Sequence, residues 1–202
     1  MQPVALLNLS GRYYGQNVTI TWKFPQRAPD TVFIAPVNSQ TKRVSVQEIQ
    51  QIPLKNVTTG VSFKYIPVTI HDVTKCEFLV YMGQSGGGVP NFEYMINNPA
   101  FTVQVVIGRA HVYYWVDSKT VENGFVRHSL SLQSDFSIED GILGYSFITD
   151  GHRYQALMPD AIGRGRHKFP PFYTLGHSHI EVGLIDGAVA EVSSERRKIF
   201  MF

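Results

Sequence analysis

The chain has 202 residues, a formal net charge of +2 at neutral pH, 44% hydrophobic and 17% charged residues, and one cysteine. That length holds one large or two small domains, and the apolar share supplies a packed core and argues against extended disorder. The near-balanced charge gives no strong positive field for non-specific nucleic-acid binding, and Cys76 alone excludes an internal disulfide, a CxxC redox pair and a multi-cysteine zinc site.

In chain order, Met1 to Ser10 lacks the charged start and long apolar run of a signal peptide. No apolar stretch approaches the roughly 18 residues that cross a bilayer as a helix, so a soluble chain without membrane insertion is expected. Asn17 to Phe24 alternates Val18, Ile20, Trp22 and Phe24 against Thr19, Thr21 and Lys23, the pattern of a strand with one buried face. Pro25 and Pro29 close it. Further strand-like runs cover Thr31 to Val37, Arg43 to Ile49, Val57 to Ile70 and Lys75 to Met82. Val44 to Leu54 is the one window that is ambiguous between strand and helix. Cys76 falls in phase with Phe78 and Val80, which predicts a buried structural thiol.

The strand ending in Trp22, the proline-bearing turn after it, the run Val32-Phe-Ile-Ala-Pro-Val37 and the late Cys76-Glu-Phe-Leu-Val-Tyr81 resemble strands B, C and F of a fibronectin type III or related immunoglobulin-like sandwich. The resemblance covers about the first hundred residues. It implies a sandwich fold, occurrence in tandem, and a role in binding, spacing or assembly more than in catalysis. The connection from Asn38 to Thr59 is long and carries Pro53, which departs from the family's pattern. Gly86-Gly-Gly88 reads as part of a long hairpin-type loop, because Phe101 to Ile107 looks like the closing strand the first sandwich needs.

The second half offers Ala110 to Asp117, Arg127 to Ser134, Ile142 to Thr149, Arg153 to Met158, Lys168 to Leu175, His177 to Ile185 and Ala188 to Val192. Asp150-Gly151 and Asp186-Gly187 are hairpin turn signals, since a type I′ turn needs positive φ at both central positions. Ser137 to Asp140 is read as one helical turn at most. About seven short strands with such turns predict a second sandwich. The expectation is therefore all-β, with two fibronectin III-like or immunoglobulin-like sandwiches in tandem over residues 1–108 and 109–202. A single large jelly-roll, as in viral or phage structural proteins, is the alternative architecture.

Two clusters bear on chemistry. Arg164, Arg166 and Lys168 lie within five residues and suit phosphate, sulfate or an acidic glycan, while Tyr113 and Trp115 are candidates for stacking on sugar rings. His177, His179 and Glu181 share one face of an extended chain, as a metal site would require. Glu181, however, comes too soon after them for a cupin-type ligand set. No nucleophile elbow, Walker loop or dinucleotide fingerprint is present. The sequence thus points to a non-catalytic binding or assembly module with a protein or glycan partner recognised through loops, oligomerisation left open, no nucleic acid and no cofactor. A metal- or carboxylate-dependent hydrolase centred on His177 and His179 stands as the alternative.

Overall fold

A computed structural model describes residues 3–25, 29–38, 40–53, 55, 59–65, 72–88, 90–149, 151–158, 160–176, 178–185 and 191–196, the last of these as backbone. The chain divides into two compact units, one of residues 1–66 and 75–107 and the other of 67–74 and 108–202.

In the first unit β1 (Leu7–Tyr14), β2 (Asn17–Lys23) and β6 (Gly60–Lys64) form an antiparallel sheet in the order β1-β2-β6. Facing it are β3 (Thr31–Asn38), β4 (Arg43–Val44), β5 (Gln50–Pro53), β7 (Thr74–Gly83) and β8 (Thr102–Ile107), ordered β4-β3-β7-β8 with β5 also on β3. β4 and β5, the strands directly after β3, thus join its sheet, whereas β6 returns to pair with β2. This is the fibronectin type III-like version of the immunoglobulin sandwich. The alternating face of β2 delivers Val18, Ile20 and Trp22 to the core, where they meet Val32, Ile34, Phe78, Val80, Met82 and Val105.

Four features of this unit depart from expectation. β1 is not signalled by the sequence pattern, because Gly11 stands where an alternating strand would carry an apolar side chain; a Cβ there would run into the Val105 side chain of β8. The run Arg43 to Ile49 is not one strand but β4, a 3-10 turn over Val46–Glu48, and then β5. The third is a short helix, α1 (Phe92–Ile96), capped by the Asn91 side chain, which accepts from the Tyr94 amide at 3.2 Å. Met95 and Ile96 of α1, with Phe101, cover Phe33, Val37, Leu79 and Tyr81 on the outer side of β3 and β7. Both strands are buried on two faces, which explains why they read as continuous apolar runs. Cys76 is half-buried against the main core, short of the full burial expected. Of the run Val57 to Ile70, residues 57–58 and 66–70 lie outside the described residues.

The second unit holds β9 (Arg109–Thr120), β10 (Phe125–Ser134), β11 (Leu143–Thr149), β12 (His152–Leu157), β13 (Gly165–Lys168), β14 (Phe172–Leu175), β15 (His179–Leu184) and β16 (Glu191–Arg196). One sheet runs β13-β10-β9-β16, with β14 also on β10; the other runs β12-β11-β15. Thr149 pairs with His152, so β11 and β12 make the two-residue hairpin expected there, although Asp150 itself lies outside the described residues. The hairpin expected at Asp186-Gly187, also outside them, does not join its flanking strands to each other. β15 pairs with β11, whereas β16 runs parallel to β9 in the other sheet. The run Lys168 to Leu175 is likewise two strands. Pro170 and Pro171 lack the amides a ladder needs, so β13 and β14 pair with β10 separately on either side of them. Gly176, at φ 69°, then turns the chain out of this sheet towards β15. Ser137 to Asp140 forms no helical turn; Ile138 bridges Val73 and Ile162 instead.

Candidate ligand-binding face

Because β10 is the centre of its sheet, its alternation decides what the second unit offers to solvent. Val126, His128, Leu130, Leu132 and Ser134 point inward and are buried. His128 and Ser134 are the polar members of that set, and His128 is wholly buried. Its ring nitrogens lie 2.8 Å from Ser118 Oγ and 2.8 Å from Thr174 Oγ1, and the ring stacks on Phe172. Thr174 donates to the Gly176 carbonyl at 3.1 Å, so its oxygen is left to accept from His128 Nε2. Both ring nitrogens are thus engaged within the fold.

Phe125, Arg127, Ser129, Ser131 and Gln133 therefore face outward. The register aligns Trp115 of β9 with Ser131 and Tyr113 with Gln133, and on the other side Lys168 of β13 with Ser131 and Arg166 with Gln133. Four of the five residues singled out for ligand binding thus share one face of three adjacent strands. Ser131 keeps the floor low between Trp115 and Lys168, whose strands lie about 9.6 Å apart, at roughly 4.8 Å per strand spacing. Across that trough the Arg166 guanidinium lies 5.1 Å from the centre of the Trp115 ring. A guanidinium in such a cation–π contact still has N–H donors to offer an oxyanion. His111 packs edge-on against Tyr113 with ring centres 4.5 Å apart and continues the aromatic row. Arg164, the fifth residue, is exposed in the bend just before β13 and outside the sheet. His167 alternates to the opposite side from Arg166 and Lys168, and its Nε2 lies 2.7 Å from the Gly163 carbonyl.

The same face extends to the other end of β10, which sequence reasoning missed. Arg127 sits between Lys119 of β9 and Tyr173 of β14, and Phe125 pairs with Leu175. Phe125 and Tyr173 are 43% and 56% exposed, and with Lys119, Thr120, Val121 and Glu122 they line an open groove. Asp117, across from Ser129, is the one acidic residue among these strand positions. The missing signal was register: Lys119 and Tyr173 are 54 residues apart and meet only through Arg127.

The metal alternative is placed differently. His179 and Glu181 lie on the exposed side of β15 while Ile180 and Val182 are buried, as the alternation predicts. His179 Nε2 is 3.3 Å from one Glu181 oxygen and an Arg153 nitrogen is 3.9 Å from the other, so the carboxylate is already shared by an imidazole and a cation. His177 lies outside the described residues, and among those described no three His, Cys, Asp or Glu side chains gather to hold a metal ion. Arg153 also donates to Ser146 Oγ at 3.1 Å, which fixes it over this sheet.

Gly87 and Gly88 line a pocket in the first unit with Phe33, Ile49, Tyr81 and Phe92. Phe33 and Tyr81 stack there with ring centres 4.9 Å apart. Among the described residues no helix is long and apolar enough to cross a membrane.

No protein-family description and no curated protein matches the chain. Among solved structures it is similar to chicken CNTN1 FN1–FN3 domains, with 14% identity and a TM-score of 0.41 over 92% of this chain. That match spans 62% of the length of the CNTN1 structure.

Proposed function

We propose that the chain is a non-catalytic binding module that recognises a glycan through the outward face of β9, β10 and β13. The observation that carries this reading is the meeting of Trp115 and Arg166 across a serine-floored trough, with Tyr113 and Lys168 beside them. Aromatic rings supply planes for the apolar faces of sugars, and cations beside them supply hydrogen-bond donors for hydroxyl or acidic groups. The contact surface is a sheet face, with Arg164 alone contributed by a loop. Native electrophoresis through gels cast with a panel of neutral and charged soluble polysaccharides tests it. Retardation by at least one, lost in Trp115→Ala and Tyr113→Ala variants that keep the parent's circular dichroism, is expected. No retardation by any polymer, or retardation unchanged in both variants, would sink the reading.

A protein partner is the second reading, favoured by β12, which among the described residues pairs on one side only and exposes Tyr154 and Leu157. Its test is sedimentation of the parent beside Leu157→Lys: a self-associating parent and a monomeric variant support it, and two identical monomers remove it as a self-association surface.

A further inference from the structure

Along β10 the outward positions run from Gln133 to Arg127, six residues and so about 20 Å of extended chain. Cations stand at both ends of that length, Arg166 and Lys168 at one and Arg127 and Lys119 at the other, against Asp117 as the acidic strand position between them. Aromatic rings also stand at both ends, Tyr113 and Trp115 beside the first pair, Phe125 and Tyr173 beside the second. A compact ligand would engage one end and leave the other idle. A linear one running parallel to the strand engages both, with the serine floor of Ser129 and Ser131 admitting its girth. Four cations against Asp117 on these strands and Glu122 in the groove leave a positive balance that selects a polyanion, and rings at both ends select a chain of stackable units.

We propose, resting on the glycan reading above, that the ligand is a linear acidic polysaccharide, carboxylated or sulfated, lying along β10 from the Trp115–Arg166 pair to the Phe125–Tyr173 groove. Arg166, held over the indole, and Lys168 take acidic groups at one end; Arg127 and Lys119 take the next ones along. Binding weakens as salt rises, because the cations are exposed and screened.

The test measures affinity of the full chain for polygalacturonate, for its fully methyl-esterified form, for dextran sulfate, for dextran and for single-stranded poly-deoxythymidine. The first or the third, or both, should bind, separating carboxylate from sulfate as the preferred acid, with the esterified polymer and dextran at least about tenfold weaker, a loss of 1.4 kcal/mol or more. An Arg127→Gln, Lys168→Gln double variant, changed only at exposed positions, should lose about tenfold in affinity and show a shallower salt dependence, with its melting temperature unaltered. Losses from Arg127→Gln alone and Lys168→Gln alone should both be measurable, since the polymer spans both ends. Esterified polymer or dextran bound as tightly as its acidic counterpart overturns the acidic ligand and leaves the glycan reading standing. Binding to no polysaccharide removes both. Poly-deoxythymidine bound more tightly than any glycan overturns the proposal in favour of a nucleic acid, and an effect confined to one end overturns the extended ligand.

Discussion

At the scale of single residues, Trp22 is the clearest test of the first core. It is 3% exposed, lies edge-on to Phe24 with ring centres 6.2 Å apart, and fills the space between the two sheets. Trp22→Ala should cost about 3–5 kcal/mol from lost burial and the cavity left behind, visible as a large drop in the melting temperature of the first unit. A variant melting within a degree or two of the parent would contradict that assignment. Tyr65 and Tyr81 make a second test, through pH. Burial pushes both phenols from the usual 10.0 up to about 12, with Cys76 adding to the effect at Tyr65. The fold favours their neutral forms. Their contribution to stability is therefore complete below the unfolded value of about 10 and is lost as pH rises through about 12. Denaturant midpoints should fall between pH 10 and 12, and the fall should be smaller in a Tyr65→Phe, Tyr81→Phe variant; an equal fall in both proteins would show that other groups govern alkaline unfolding.

At the scale of elements, α1 has only five residues and cannot hold itself together as an isolated helix. Its stability comes from the Asn91 cap and from Met95, which is wholly buried over Leu79 and Tyr81. Asn91→Ala should cost about 1 kcal/mol and Met95→Ala about 2–5 kcal/mol in chemical denaturation of the first unit. A Met95→Ala cost below that of the cap would mean that α1 is not seated on β3 and β7. The glycine stretch that precedes α1 reads as a loop in the sequence. The helix itself was not legible, because five residues carry too little of the 3.6-residue period to be told from a turn. β1 escaped for a related reason. The residue that breaks its alternation, Gly11, is explained only by Val105, 94 positions later.

At the scale of the whole molecule, the chain divides into two compact units. We propose two domains divided near Gly108, residues 1–108 and 109–202, although residues 67–74 group with the second unit. The two tryptophans allow a direct test, since Trp22 lies in the first unit and Trp115 in the second. Trp115→Phe leaves a reporter of the first unit, and Trp22→Phe leaves one of the second. Denaturation followed by fluorescence should give curves with different midpoints, whereas coincident curves that also match circular dichroism would indicate one cooperative body.

By itself the sequence determined the class and much of the inventory. Period-two alternation is a local property, so the buried faces of β2, β10 and β15 could be assigned from neighbours a few residues away. The residue types of the candidate face, Tyr113, Trp115, Arg166 and Lys168, were visible for the same reason. Only the tertiary structure decided which strands lie side by side. Backbone hydrogen bonds are chemically alike from strand to strand, so nothing in the local pattern says that β13 and β14 flank β10, or that β16 joins β9 in parallel rather than pairing with β15. That choice places Arg166 over Trp115, brings Lys119, Arg127 and Tyr173 into the same row, and leaves His179 and Glu181 on the other sheet.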